Sequence, residues 1–296
     1  PRLVHVLHSL GALKHRNTQS SGKEIPDWWR IDDRIKTELA VYSRSDPFNV
    51  VVSYEIEKWL KDYYNCQPHG FCPSGVNPRL FRPRAPDISR SDPHYAWVWD
   101  TLMELGRVNG QGPGTLEQLQ EAMMVFSVSR VTPTKGRHIE LRAFAKALRE
   151  EGYPNWVFVT NIGDPAKASP QERSYVQGLH GLIGELGIER YVITAPFFKQ
   201  EMVAALDQVA HLYLTAATME TWGMSVQQAA ASRLALLSSN IPPITTEVLA
   251  GGNNAIRFNE EGYCICPGAV VFDAVSYTHL RAHETPEHLV CRLLLE

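Results

Sequence analysis

Met124-Val125-Phe126-Ser127-Val128, then Ser129-Arg130-Val131-Thr132-Pro133-Thr134-Lys135-Gly136, then an amphipathic run over 139–150, reads as strand, turn and helix. The apolar run is too short for a helix, and Pro133 and Gly136 punctuate the turn. The same alternation continues downstream. Strands are expected at 156–160, 191–194, 212–215 and 234–238, and helices at 172–186, 200–208 and 225–232. Continuous apolar strands separated by helices indicate a doubly wound parallel sheet, whose ligands lie at the carboxyl ends of the strands. Upstream, residues 1–7 and 50–52 read as further strands and 55–64 as a helix.

Between these two sets, Pro73-Ser74-Gly75-Val76-Asn77-Pro78 and Phe81-Arg82-Pro83-Arg84-Ala85-Pro86 are dense in structure breakers and read as a connector. Residues 89–114, with Trp97, Trp99 and Gly110-Gln111-Gly112-Pro113-Gly114, read as an insertion. The glycine run is taken as a linker, since no Gly-Lys-Ser or Gly-Lys-Thr follows it to make a phosphate cradle. The expected organisation is a partial first domain over 1–76, connector and insertion over 77–119, and a second domain over 120–274.

The strand-like start, Pro1-Arg2-Leu3-Val4-His5-Val6-Leu7, places the natural beginning upstream. Residues 275–296 break the patterning and resemble a translated sequencing-adapter read-through, so they are read as a non-native tail. The tail's His279, His283 and His288 are therefore not read as metal ligands.

With 296 residues, 44% of them hydrophobic, the chain can bury a substantial core and form two domains. A net charge of −3 provides no broad basic field, which argues against nucleic acid and leaves a small anionic ligand open. The five cysteines, Cys66, Cys72, Cys264, Cys266 and Cys291, lack paired metal spacing and read as reduced thiols of a cytoplasmic protein. No apolar run approaches the ~18 to 20 residues of a membrane span.

Two turns carry the chemistry. Arg130 and Lys135 lie between a strand and a helix, where the helix amino end adds positive field and N–H donors for a diphosphate. Lys135, before a glycine, is expected at the surface. The second turn, Ala217-Thr218-Met219-Glu220-Thr221-Trp222-Gly223-Met224, also leaves a strand and enters a helix, the one containing Gln227-Gln228. Taken alone, each turn also reads as a solvated loop.

With Gly75-Val76-Asn77 and Phe81-Arg82-Pro83 upstream, these segments resemble the retaining family 4 glycosyltransferases, with their R-x4-K turn, E-x7-E segment and NGVD…FxP connector. The resemblance spans about residues 3–262. It is closest to the sucrose-phosphate synthases in His8-Ser9-Leu10-Gly11-Ala12-Leu13-Lys14, in Arg34-Ile35-Lys36-Thr37-Glu38 and in Val51-Val52-Ser53-Tyr54-Glu55. It implies a GT-B fold: two Rossmann-like domains facing across a cleft, the first one cut short here.

The resemblance further implies that Arg130, Lys135 and Gly136 hold the donor diphosphate, and that Glu220, Trp222, Gly223, Met224 and Gln228 line the donor sugar or nucleotide. His8 and Glu220 take the catalytic positions. Lys14 and Arg34 would meet the phosphate of a sugar-phosphate acceptor. The cations stand in for a metal, so no cofactor is required and the nucleotide sugar is a co-substrate. The implied reaction moves a hexose with retention from a nucleoside-diphosphate sugar to a sugar or sugar phosphate, such as from UDP-glucose to fructose 6-phosphate. No carboxylate pair at hydrolase spacing is evident.

The departures are specific. The second carboxylate of E-x7-E is Gln228, the usual ASGxP is Ala231-Ser232-Arg233-Leu234-Ala235, and the first Arg of the synthases' RRI is Asp33. The glycine-rich loop of the first domain and the family's last crossing helix are absent from the sequence, so turnover is expected of the intact parent. The alternative is a degenerate GT-B module that binds or regulates without turnover.

Overall fold

The structure is a computed structural model and describes residues 4–7, 10, 30–42, 48–85, 87–242, 244–249, 257–258, 264–266 and 269–272. Contacts divide the chain into one unit of Pro1–Gly75, Glu220–Gly223 and Pro242–Gly252, and another of Val76–Met219, Met224–Ile241 and Asn253–Glu296.

The larger unit is built on β4 (Met123–Ser127), β5 (Trp156–Asn161), β6 (Val192–Ala195), β7 (Leu212–Thr215), β8 (Ala235–Ser239), β9 (Arg257–Phe258), β10 (Cys264–Cys266) and β11 (Ala269–Phe272). They form one sheet in the order β6-β5-β4-β7-β8-β11-β10-β9. All pairs from β6 to β11 are parallel, and β10 and β9 are added antiparallel at the edge. Read along the parallel strands, this is the 3-2-1-4-5-6 order of a dinucleotide-binding sheet. It reverses between β4 and β7, the position beyond whose carboxyl ends sheets of this order bind ligands.

Strands β4 to β7 are buried on both faces because helices cover them. Helix α5 (Arg137–Glu150) turns Leu141, Phe144, Ala145 and Leu148 inward, at helical spacing, onto Val125 and Phe158. Leu179, Leu182 and Ile183 of α6 (Pro170–Leu186) complete that layer. Each such leucine contributes about 1.5–3 kcal/mol by leaving water. On the other side α7 (Gln200–Val209) buries Met202, Val203, Leu206 and Val209.

Asp207, on the same helix, is 2% exposed, and neither carboxylate oxygen finds a hydrogen-bond partner among the described residues. Burial pushes its pKa well above the usual carboxylate value. The native state then keeps a proton that the unfolded chain has released. Stability therefore falls as pH rises from the unfolded carboxyl range through the raised native one. Asp207→Leu, of similar shape, is expected to stabilise the chain by about 1–3 kcal/mol at pH 7. The gain should shrink at about pH 4, where the unfolded carboxyl is itself about half protonated. Urea unfolding at both pH values measures it, and a gain that does not depend on pH would contradict this account.

The expected insertion at 89–114 contains helix α3 (Ala96–Asn109), whose Val98, Trp99, Leu102 and Gly106 form one buried stripe, and the short α4 (Leu116–Glu121) follows before β4. Gly110, at φ 64°, ends it. The Gln111 side-chain oxygen then accepts from Thr194 N and Oγ1 at 3.0 and 2.7 Å, covering the outer edge of β6. Arg90 donates to the carbonyls of Val209, Gln120 and Ala122 and lies over the Trp99 ring. The expected linker is thus part of this unit. Upstream, Asn77 turns the chain by accepting from Arg79 N through its side chain and from Phe81 N through its carbonyl, and Phe81 is buried.

The smaller unit pairs β1 (Val4–Leu7), β2 (Phe48–Val51) and β3 (Gly70–Phe71) in parallel. With α1 (Ile31–Tyr42) and α2 (Tyr54–Tyr64), these strands enclose Leu7, Leu10, Tyr42, Val51, Val52, Ile56, Leu60 and Tyr64. Helix α2 begins at Ser53, whose hydroxyl accepts from Ile56 N at 3.2 Å. Both carboxylate oxygens of Glu247 also accept from Tyr54 N, at 3.0 and 3.1 Å. No helix among the described residues is long and apolar enough to cross a membrane.

Candidate functional site

At the β4/β7 reversal the two sequence turns meet. After β4 the chain makes a single 3-10 turn over Pro133–Lys135 and enters α5 through Gly136, at φ 70°. After β7, Ala216 lies against Gly136 so closely that a Cβ built there would come 2.6 Å from the Ala216 carbonyl carbon. Thr218 N donates to the Thr134 carbonyl at 2.9 Å, and Lys135 Nζ reaches the Met219 carbonyl at 3.5 Å. Lys135 is 8% exposed because the second turn packs over it, which corrects the expected surface position. Arg130 is exposed.

At the amino end of α5 the His138 ring nitrogen Nδ1 lies 3.0 Å from the hydroxyl of Tyr175, on α6. Burial raises the Tyr175 pKa.

Beneath both turns lies a buried polar network that the sequence reading did not single out. Arg137 and Glu140 form an ion pair, each with its side chain 1% exposed. Arg137 also donates to Ser127 Oγ, to Ser129 Oγ at 3.1 Å and to Asn161 Oδ1 at 3.3 Å. Glu140 accepts from Ala216 N at 3.1 Å. Asn161 grips Ser129 twice, accepting from its N–H at 3.1 Å and donating to its carbonyl at 2.8 Å. Burial raises the Glu140 pKa against the opposing pull of Arg137, the Ala216 amide and Ser127.

The second turn then leaves this unit, since Glu220–Gly223 belongs to the smaller one. There Trp222 is buried, with its ring 6.3 Å from Phe71, and Gly223 has φ 96°. Glu220 is half-buried. The chain returns at α8 (Met224–Ala231), where Met224 is exposed and Gln228 half-buried. Arg233, which follows α8, has φ 59° in the left-handed region. That geometry favours glycine, which explains why a glycine is usual there.

Arg34, on α1, donates to Glu38 at 2.7 Å, and Glu38 also accepts from the Tyr64 hydroxyl. Asp33, beside it, pairs with Arg30. His8 and Lys14 lie outside the described residues, as does the tail over 275–296. Cys66 and Cys72 are free thiols. Among the described residues no group of three or more His, Cys, Asp and Glu side chains is placed to hold a metal ion.

A family model described as glycosyl transferases group 1 matches residues 116–265, half of the chain. The chain belongs to this family. The match takes in both turns and the buried network between them. Among solved structures, the sucrose-phosphate synthase of Thermosynechococcus elongatus is similar, with 19% identity and a TM-score of 0.57 over 81% of this chain and 50% of that one. HepE of Anabaena, solved with UDP and glucose, matches with 18% identity and a TM-score of 0.56 over 80% and 53%. WaaG, a glycosyltransferase involved in lipopolysaccharide biosynthesis, matches with 15% identity and a TM-score of 0.54 over 80% and 56%. These likenesses establish the fold as the mixed α/β, Rossmann-like GT-B type. The chain spans about half the length of these structures. No curated protein matched in the sequence comparison.

Proposed function

We propose that this group 1 glycosyltransferase chain binds a nucleoside-diphosphate sugar at the β4/β7 reversal and belongs to a protein that transfers its hexose with retention, in the manner of family 4. The observation that carries this reading is the packing of the Lys135 turn against the Ala216–Met219 turn at the point where the strand order reverses. Arg130 and Lys135 are assigned to the diphosphate, Gly136 to the close approach of the turns, and Glu220, Trp222, Gly223, Met224 and Gln228 to the sugar and nucleotide. As C1 parts from the diphosphate oxygen, negative charge grows on the leaving group, and cations held in place stabilise that change. The acceptor oxygen takes its place on the same face.

UDP-glucose is the first donor to test, supported by the likeness to HepE solved with UDP and glucose and to sucrose-phosphate synthase. His8, Lys14 and Arg34 are assigned to the acceptor side. Because Arg34 is already held by Glu38, an acceptor phosphate has to share or displace that carboxylate.

UDP-glucose, ADP-glucose and GDP-mannose, each titrated with and without fructose 6-phosphate, test the reading. One donor is expected to bind saturably and to release its diphosphate when the acceptor is added. Binding without release favours a module that lacks turnover, a reading that Gln228 and the left-handed Arg233 support. No binding by any donor would remove the assignment.

A further inference from the structure

The Arg137–Glu140 pair is unusual in its place. Both side chains project from the first turn of α5 into the interior, where a helix of this kind ordinarily turns apolar residues inward. A buried ion pair is weak evidence for stability, because desolvation offsets much of the attraction. Its connections here are not random. Arg137 bonds to Ser127 and Ser129, on either side of the carboxyl end of β4, and to Asn161 at the end of β5. Glu140 takes the backbone N–H of Ala216, the first residue beyond β7. One partner therefore fixes the residue before Arg130, and the other fixes the start of the turn that closes over Lys135. The ion pair sets the spacing between the two.

Resting on the donor-site reading above, we infer that Arg137 and Glu140 are positioning residues: their buried pair holds the Ser129–Arg130 and Ala216–Met219 turns in register, so that a nucleoside diphosphate meets them already arranged. Neither residue needs to touch the ligand. The contribution is preorganisation, which lowers the ordering cost of binding. The Arg137 Nε, buried and without a partner among the described residues, fits a group whose orientation is set by its other nitrogens.

The two roles, structural and positioning, separate in the double variant Arg137→Met/Glu140→Leu. Replacing a buried pair by apolar residues of similar volume tends to preserve stability, whereas removing one partner strands the other charge. UDP titration by calorimetry on the full chain, with unfolding followed in parallel, gives the readout. The double variant is expected to unfold within a few degrees of wild type yet bind UDP roughly 10-fold more weakly or worse. A folded double variant with wild-type UDP affinity overturns the inference. Ser129→Ala, at a half-buried position, removes the Arg137 Nη2 bond and the hydroxyl's local bond to the Arg130 carbonyl while keeping the ion pair, and decides the matter if the double variant does not fold. About 3-fold weaker UDP binding supports the inference, and unchanged binding defeats it.

Lys135→Met, run alongside, separates the two levels. If that variant binds UDP as wild type does, the donor-site reading fails and the inference falls with it. If it binds weakly while the double variant does not, only the positioning role is lost.

Discussion

If the proposed function holds, Lys135→Met in the intact parent protein is expected to slow hexosyl transfer roughly 10²-fold while leaving the affinity for the intact nucleotide sugar within a few-fold of wild type. The argument is one of timing. In the bound donor the diphosphate shares its charge with the glycosyl bond. As that bond breaks the charge localises on the leaving group, and a fixed cation matters most there. Free UDP carries the leaving group's full charge, so its affinity should fall more than that of UDP-glucose, by about 10-fold or more. Methionine rather than alanine is the informative replacement because Lys135 is buried under the Ala216–Met219 turn. Its apolar stem fills space that alanine would leave empty. Steady-state rates and calorimetric titration of both ligands measure the split. Equal loss for UDP and UDP-glucose with an unchanged rate would mean that Lys135 serves ground-state binding alone.

The alternation of strands and helices from β4 to β8 was legible because each strand is a short, uninterrupted apolar run and each helix shows a stripe of 3.6 period. The reversal between β4 and β7 was not legible, since strand order depends on long-range pairing. It nonetheless explains why two turns some 80 residues apart meet, as the Thr218–Thr134 bond shows. Helix α3 could have been read from Val98, Trp99, Leu102 and Gly106, all on one face, but the glycine run after it marked the whole segment as an insertion. The Arg137–Glu140 pair left a faint signal: a basic and an acidic residue three apart at a helix start, on the side that the later Leu141 and Phe144 turn to the core. Tyr175 at the amino end of α5 left none, because its partner His138 lies 37 residues earlier. Charge spacing in a sequence does not reveal which charges are buried.

Among alanine substitutions at the described glycines, Gly136→Ala should be the most damaging, whereas Gly178→Ala should be mildly stabilising. At Gly136 two effects coincide. The backbone is at φ 70°, where an L side chain is strained, and the added Cβ would fall inside contact distance of the Ala216 carbonyl. Together they cost roughly 2–5 kcal/mol. The only relief is for the β7 turn to retreat. That would lengthen the Thr218–Thr134, Glu140–Ala216 and Lys135–Met219 contacts at once. UDP affinity should therefore be lost even at temperatures where the variant is fully folded. Gly178, in the interior of α6, has no atom within 4 Å of an added Cβ, so alanine there gains helix propensity of about 0.5–1 kcal/mol. Urea unfolding of the two variants, with UDP titration at a temperature where both are native, compares the same chemical change in opposite settings. Wild-type stability and UDP binding in Gly136→Ala would show that the two turns are not held at the separation on which the proposed donor site depends.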